Sequence, residues 1–178
     1  EGEEVFVALC NHYAQRKSFA DIPGIIYRDR DTGDIHITSQ EKILSMNTLP
    51  SPYLDGTFDD LYQKYKSEFS GIVWETTRGC PFQCSFCTYN LKKIREKPID
   101  KVKCEIKWIG RNNIKYVAMS DANFGIRNRD IEIAKLLAEC KREYNFPKYL
   151  SVSWVKNSSD KVLQISKILK EGGIGSRI

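Results

Sequence analysis

Residues 71–90 read GIVWETTRGCPFQCSFCTYN, and this stretch decides the fold. Its first part, Gly71 to Thr77, is a β-rich run. Its second part holds Cys80, Cys84 and Cys87, three of the chain's six cysteines, spaced C-x3-C-x2-C. A strand that ends in a ligand-bearing loop is how a parallel α/β sheet presents chemistry, at the carboxyl ends of its strands.

The residues that follow repeat one rhythm. PIDKVKCEIKWIGRNN places Val102, Ile106 and Ile109 at i, i+4 and i+7, a helix with Pro98 near its entry and Asp100 available as its cap. IKYVAMS is a near-continuous apolar strand candidate. RNRDIEIAKLLAECKREY puts Ile131, Ala134, Leu137 and Ala138 on one helical face, and YLSVSWV is strand-like again. SSDKVLQISKILKEGG predicts a helix capped by Ser158 or Ser159, with Val162, Ile165, Ile168 and Leu169 inward and Gly172 as its stop. Strand and helix alternate three times before a fourth strand begins, the signature of βαβ units and a parallel sheet. Three loops therefore gather at one end: the cysteine loop, SDANFG and KNSS.

Upstream the rhythm differs. Glu3 to Gln15 carries Val5, Leu9 and Tyr13 at helical spacing, with acids in its first turn that favour the helix dipole. GIIYRDRDTGDIHIT is a hairpin of Gly24–Arg28 and Asp34–Thr38. TLPSPYLDGTF, with Pro50, Pro52 and Gly56, is an extended connector. A helix at the very start and a barely begun strand in EGGIGSRI read as an internal piece of something longer.

Composition bounds the function. At 178 residues and 41% hydrophobic, the chain has material for a core, and no apolar run approaches the ~20 residues of a membrane span. Six unevenly spaced cysteines do not look like a secreted disulfide framework, so a reducing cytoplasmic setting is expected. The net charge of +5 is scattered rather than gathered into a patch, which argues against a nucleic-acid partner.

Thiolates select zinc or iron–sulfur clusters. A structural zinc site takes four protein ligands, yet neither His12 nor His36 nor another cysteine lies beside this loop. Cys104 and Cys140 read as buried, inert thiols within helices. Three cysteines suit a cubane cluster that keeps one iron open to a ligand that is not protein. A zinc-stabilised binding module for nucleic acid or protein is the alternative.

The spacing, with aromatic Phe86 before the last cysteine, resembles the radical S-adenosylmethionine (SAM) superfamily motif. EGEE, the hairpin, LPSPYLDGTF, WETTRGCPFQCSFC and DANFG together resemble its cobalamin-binding subgroup. The resemblance implies the N-terminal part of a partial (β/α)6 TIM-like barrel over residues 71–178. Residues 1–70 are then the end of a cobalamin-binding-type domain with its hairpin and linker. It implies an enzyme that reductively cleaves SAM at a 4Fe–4S cluster to a 5′-deoxyadenosyl radical. Methyl transfer through cobalamin as a further cofactor is one outcome it leaves open, and a rearrangement or oxidoreduction by direct hydrogen abstraction is the other. A small-molecule substrate and an external electron donor of flavodoxin or ferredoxin type follow from it.

Residue by residue, the resemblance makes Cys80, Cys84 and Cys87 the cluster ligands. Phe86 and Tyr89 match positions near the adenine. Ser120, Asp121 and Asn123 stand where the family meets the methionine ammonium of SAM, although its usual Gly-Gly-Glu pattern is absent. Ser153, Lys156 and Asn157 stand where ribose or carboxylate contacts are expected. Arg78 is expected to orient the turn or pair with a carboxylate, and Trp74 to serve as core rather than as a substrate platform.

Overall fold

The computed structural model describes residues 2–39, 44–69, 71–89, 91–157 and 159–176. It forms two compact units, Glu1–Ser45 and Met46–Ile178. Residues 46–69, expected as the linker half of a 1–70 segment, belong by their packing to the second unit.

In the first unit, α1 (Glu3–Ala14) is followed by β1 (Ile26–Arg28) and β2 (Ile35–Ile37), paired antiparallel with Tyr27 opposite His36. The hairpin is where its turn residues put it, because Asp29 Oδ1 accepts the backbone N–H of Asp31 and of Thr32, each at 2.9 Å. The expected inward face of α1 is not realised. Val5 and Leu9 are half-buried and Tyr13 is exposed, so the helix buries no residue fully.

The second unit is built on a parallel sheet in the order β3 (Gly71–Trp74), β6 (Tyr116–Met119), β7 (Tyr149–Ser151), β8 (Gly175–Ser176). Two-residue strands β4 (Thr77–Arg78) and β5 (Arg95–Glu96) form a separate antiparallel pair. Helices α3 (Ile99–Arg111), α4 (Arg129–Tyr144) and α5 (Ser159–Glu171) carry the crossovers. Their apolar stripes meet one sheet face in a core of Trp74, Val102, Ile106, Ile109, Val117, Met119, Ile133, Leu137, Leu150, Ile165 and Leu169. Alternate strand residues point the other way. Tyr116 and Tyr149 stack there with ring centroids 4.9 Å apart, and with Ala118, Ser151 and Gly175 they line a concave space of about 600 Å³. An α/β sheet with helices on one face and a hollow on the other is the expected partial barrel.

Several local readings are corrected. Pro98, not Asp100, holds the N-cap position of α3, and Asp100 lies in its first turn. The buried face of α4 is Asp130, Ile133, Ala134, Leu137 and Cys140; Ile131 and Ala138 sit at its margin. α5 ends at Glu171, so Gly172 follows its last residue as expected; Gly172 donates to Ile168 O, and Gly173, with a φ of +74°, takes the left-handed conformation that closes the end and that glycine adopts freely. Of the two expected caps of α5, Ser158 lies outside the described residues and Ser159 is the first residue of the helix. The Pro50–Gly56 connector is not extended. It folds into turns in which Ser51 O accepts Leu54 N and Asp55 N, leading into a helix the sequence reading did not anticipate, α2 (Asp59–Tyr65). Aromatic residues hold this segment on the sheet unit. Tyr53 and Tyr62 lie 5.1 and 5.9 Å from the Trp108 ring, and their hydroxyls donate to Val73 O and Asn112 O. No helix among the described residues is long and apolar enough to cross a membrane.

Candidate functional site

The cysteine loop is closed at its base by a ladder too short to show in the sequence. β3 ends at Trp74, and β4 then pairs with β5, Thr77 opposite Glu96 and Arg78 opposite Arg95. Cys80 N–H donates to Leu91 O at 2.7 Å, and Cys87 N–H to Cys84 O at 2.9 Å, a tight turn inside the cysteine run. Gly79 makes the closure possible. Its φ is +116°, and a Cβ there would lie 2.3 Å from Lys93 O. Only glycine fits both conditions. Arg78 forms the expected carboxylate pair, gripping Glu75 through Nε and Nη2 at 2.9 and 2.7 Å.

All six cysteines are free thiols. Cys80 and Cys84 are half-buried and Cys87 is exposed. Cys140 is buried as expected, and burial pushes its thiol up to about 11. Cys104, expected to be buried, is exposed. Two residues past Val102, it is turned about 200° away from the stripe that Ile106 and Ile109 continue.

Two polar side chains from the neighbouring loops reach the sulfurs. Asn123 Nδ2 lies 3.0 Å from Cys80 Sγ, and Lys156 Nζ lies 3.4 Å from Cys84 Sγ. Lys156 also stands 5.5 Å over the Phe86 ring, which is itself 82% exposed. Tyr89 Oη accepts the Gly79 N–H at 3.2 Å. Ser120 and Ser153 have exposed side chains. Ser120 N–H donates to Trp74 O, and Ser153 O accepts Phe124 N–H, each at 2.8 Å. Lys156 and Asn157 are exposed just beyond.

Asp121 departs from the expected role. It is 1% exposed. Oδ1 accepts Thr76 N–H at 2.7 Å, and Oδ2 accepts both the Thr76 hydroxyl and, at 2.9 Å, the Thr77 hydroxyl. With both oxygens engaged, the carboxylate braces the end of β3 against the end of β6 instead of facing a ligand. Burial raises its pKa, and the Thr76 and Thr77 hydrogen bonds oppose that rise.

A buried polar network supports the loop from below. Glu105, 0% exposed on α3, accepts Ser51 Oγ–H at 2.6 Å, Trp74 Nε1–H at 2.8 Å, and Lys97 Nζ at 2.9 Å on each oxygen. Lys97 N–H in turn donates to Thr76 O at 2.9 Å. Trp74 is thus core, as expected. Glu105 went unremarked in the sequence, although a charge at i+3 from Val102 on the inward stripe was its signal.

A mononuclear metal ion needs three or more His, Cys, Asp or Glu side chains around one point, and among the described residues no such group forms. A cubane asks something else of its ligands: each thiolate meets its own iron, so the sulfurs stand apart. Three free thiols on one short loop, with an amide and an ammonium aimed at two of the sulfurs, are a donor set that fits it.

The radical SAM superfamily profile matches residues 74–176. The chain is 34% identical over 173 residues to the cobalamin-dependent radical SAM methyltransferase TokK of Streptomyces tokunonensis, covering 94% of this chain and 25% of that protein. It is 32% identical over the same length to a 2-(S-pantetheinyl)-carbapenam-3-carboxylate methyltransferase of Streptantibioticus cattleyicolor, again over 94% and 25%. The chain therefore spans about a quarter of the length of these curated relatives. Among solved structures, the cobalamin-dependent SAM radical enzyme OxsB with aqua-cobalamin and SAM bound shares the fold at a TM-score of 0.61 and 19% identity, over 98% of this chain and 26% of that one.

Proposed function

Because this chain belongs to the radical SAM superfamily, we propose that Cys80, Cys84 and Cys87 hold a 4Fe–4S cluster at which the whole enzyme reductively cleaves SAM. When bound, that cluster supplies the electron that breaks the S–C5′ bond and releases the 5′-deoxyadenosyl radical. The observation that carries the reading is the loop itself: three free thiols held at the carboxyl end of the first sheet strand.

The chain's own residues do the holding and orienting. Gly79 and the β4–β5 ladder fix the loop's path. Phe86 and Tyr89 offer rings at the loop surface for the adenine. Ser120 and Ser153, exposed at adjacent strand ends, supply hydroxyls for the methionine and ribose groups, while Asp121 keeps the strand ends in place. Residues 1–70 stand in this reading as the end of a cobalamin-binding-type domain with hairpin and linker, and 71–178 as barrel.

Methyl transfer with cobalamin to a small-molecule substrate is the outcome that the names of the curated relatives favour. Radical SAM enzymes need an electron donor; here we take it to be of flavodoxin or ferredoxin type, in a reducing cytoplasm.

Full-length protein reconstituted without oxygen tests this. About four irons per chain are expected, and both colour and iron are lost in Cys84→Ala. With SAM and dithionite, 5′-deoxyadenosine should accumulate. A colourless protein with one tight zinc and no such product would replace this reading with the zinc-bound module.

A further inference from the structure

Asn123 and Lys156 stand where sequence resemblance puts contacts to SAM, yet their polar atoms point at sulfur. We propose, resting on the cluster assignment above, that these two residues are positioning residues that set the cluster's reduction potential by donating to the Cys80 and Cys84 sulfurs.

The geometry is built rather than incidental. Asn123 is 5% exposed, and the backbone on either side of it is pinned. Asp121 is locked to Thr76 and Thr77. Phe124, 1% exposed, bonds through N–H to Ser153 O and through O to Val155 N–H. Between these anchors the buried amide ends with its Nδ2 3.0 Å from Cys80 Sγ. A thiolate accepts and does not donate, so the NH₂ half of the amide is the half it selects.

Lys156 lies beyond β7 and reaches Cys84 Sγ at 3.4 Å while its ammonium rests over the Phe86 ring at 5.5 Å. The ring favours a position of this flexible cation beside the sulfur. That gives the aromatic residue of the loop a use besides offering its ring to the adenine. One neutral and one charged donor, from two different strand ends, thus meet two of the three ligands.

Hydrogen bonds to ligand sulfurs and the local net charge set cluster potentials. Reduction adds one electron to the cluster and moves no atom, so every donor at sulfur stabilises the reduced form more than the oxidised one. Removing either donor must therefore lower the midpoint.

The experiment is a dye-mediated redox titration, followed by electron paramagnetic resonance, of the full-length holoenzyme and its Asn123→Ala, Lys156→Met and Lys156→Arg variants. We expect Asn123→Ala and Lys156→Met each to shift the reduction equilibrium about tenfold toward the oxidised form, ~59 mV downward for a one-electron couple. Lys156→Arg keeps the charge and should return most of the way to wild type. Midpoints that stay put or rise while four irons are retained would overturn the inference and leave the proposed function standing. Should buried Asn123→Ala fail to keep its cluster, exposed Lys156→Met decides alone. Cluster loss in both would mean that the donors retain the cluster rather than tune it, which also overturns the inference. A wild-type protein without a cluster would bring down the proposed function, and this inference with it.

Discussion

Glu105 and Lys97 allow a stability prediction whose sign reverses with background. Glu105 is fully buried and Lys97 is 12% exposed, with two N–O distances of 2.9 Å between them. Replacing Lys97 with Met leaves a buried carboxylate that keeps only the Ser51 and Trp74 donors, a loss of about 3–5 kcal/mol. Glu105→Gln in the wild-type background strands the largely buried ammonium and costs about 2–3 kcal/mol. On the Lys97→Met background the same change removes the uncompensated charge while keeping an acceptor for Trp74 Nε1–H. It should then stabilise, by about 1–3 kcal/mol. Urea denaturation of the cluster-free protein under reducing conditions, followed by tryptophan fluorescence, reads all four species. With a slope near ~2 kcal/mol/M, Lys97→Met should lower the midpoint by about 1.5–2.5 M, and adding Glu105→Gln should recover about 0.5–1.5 M of it. If Glu105→Gln destabilises equally in both backgrounds, the two charges are not coupled and the account of this network is wrong.

Gly79→Ala should lose most of its iron on reconstitution while keeping far-UV circular dichroism close to wild type, since the clash with Lys93 O is confined to the loop. Asp130 titrates at about 6, chiefly because it is buried, with the Arg127 and Gly125 N–H groups working against that and Asp121 adding to it. A carboxyl raised in the folded state contributes stability that is full below its unfolded pKa, near 4, and is lost as pH rises through about 6. Between pH 4 and 7.5 wild type should thus lose on the order of 3 kcal/mol that Asp130→Asn does not, as paired denaturation curves will show. Cys140, with its thiol near 11 and bonded to Ile106 O at 3.2 Å, should resist iodoacetamide at pH 8 while exposed Cys10 and Cys104 are alkylated, as peptide mass spectrometry will read.

What was legible in the sequence was what repeats. The periods of α3, α4 and α5 and the apolar runs between them announced the parallel sheet. The C-x3-C-x2-C run announced the loop that carries the three free thiols, because both signals are local. What escaped reading depends on partners far along the chain or on a single torsion. Thr77 reads as the end of the run that begins at Gly71, and Arg95–Glu96 is too short and too charged to read as a strand; only the pairing of Thr77–Arg78 with Arg95–Glu96 makes them a separate ladder. Gly172 and Gly173 are chemically identical signals, and only φ shows which of them takes the left-handed conformation that closes α5. Asp121 and Asn123, two residues apart in one loop, look alike as turn formers. The first is claimed by Thr76 and Thr77, the second by a sulfur of Cys80.

The same distinction explains how this site is assembled. Parallel register sets Trp74 beside Met119 and Ala118 beside Ser151, so the loops after β3, β6 and β7 leave the sheet at one level. Periodicity predicts that level, and with it the company that Cys80, Asn123 and Lys156 keep. It does not predict direction. Direction comes from contacts made across the level: Asp121 tying β6 to the threonines after β3, and the Phe124–Trp154 bridge tying the β6 loop to the residues after β7. A substitution that leaves every element intact but cuts one of these ties should therefore disturb the cluster's environment before it disturbs the fold. Asp121→Asn, whose amide offers Thr76 and Thr77 one acceptor in place of two, is the sharpest such cut.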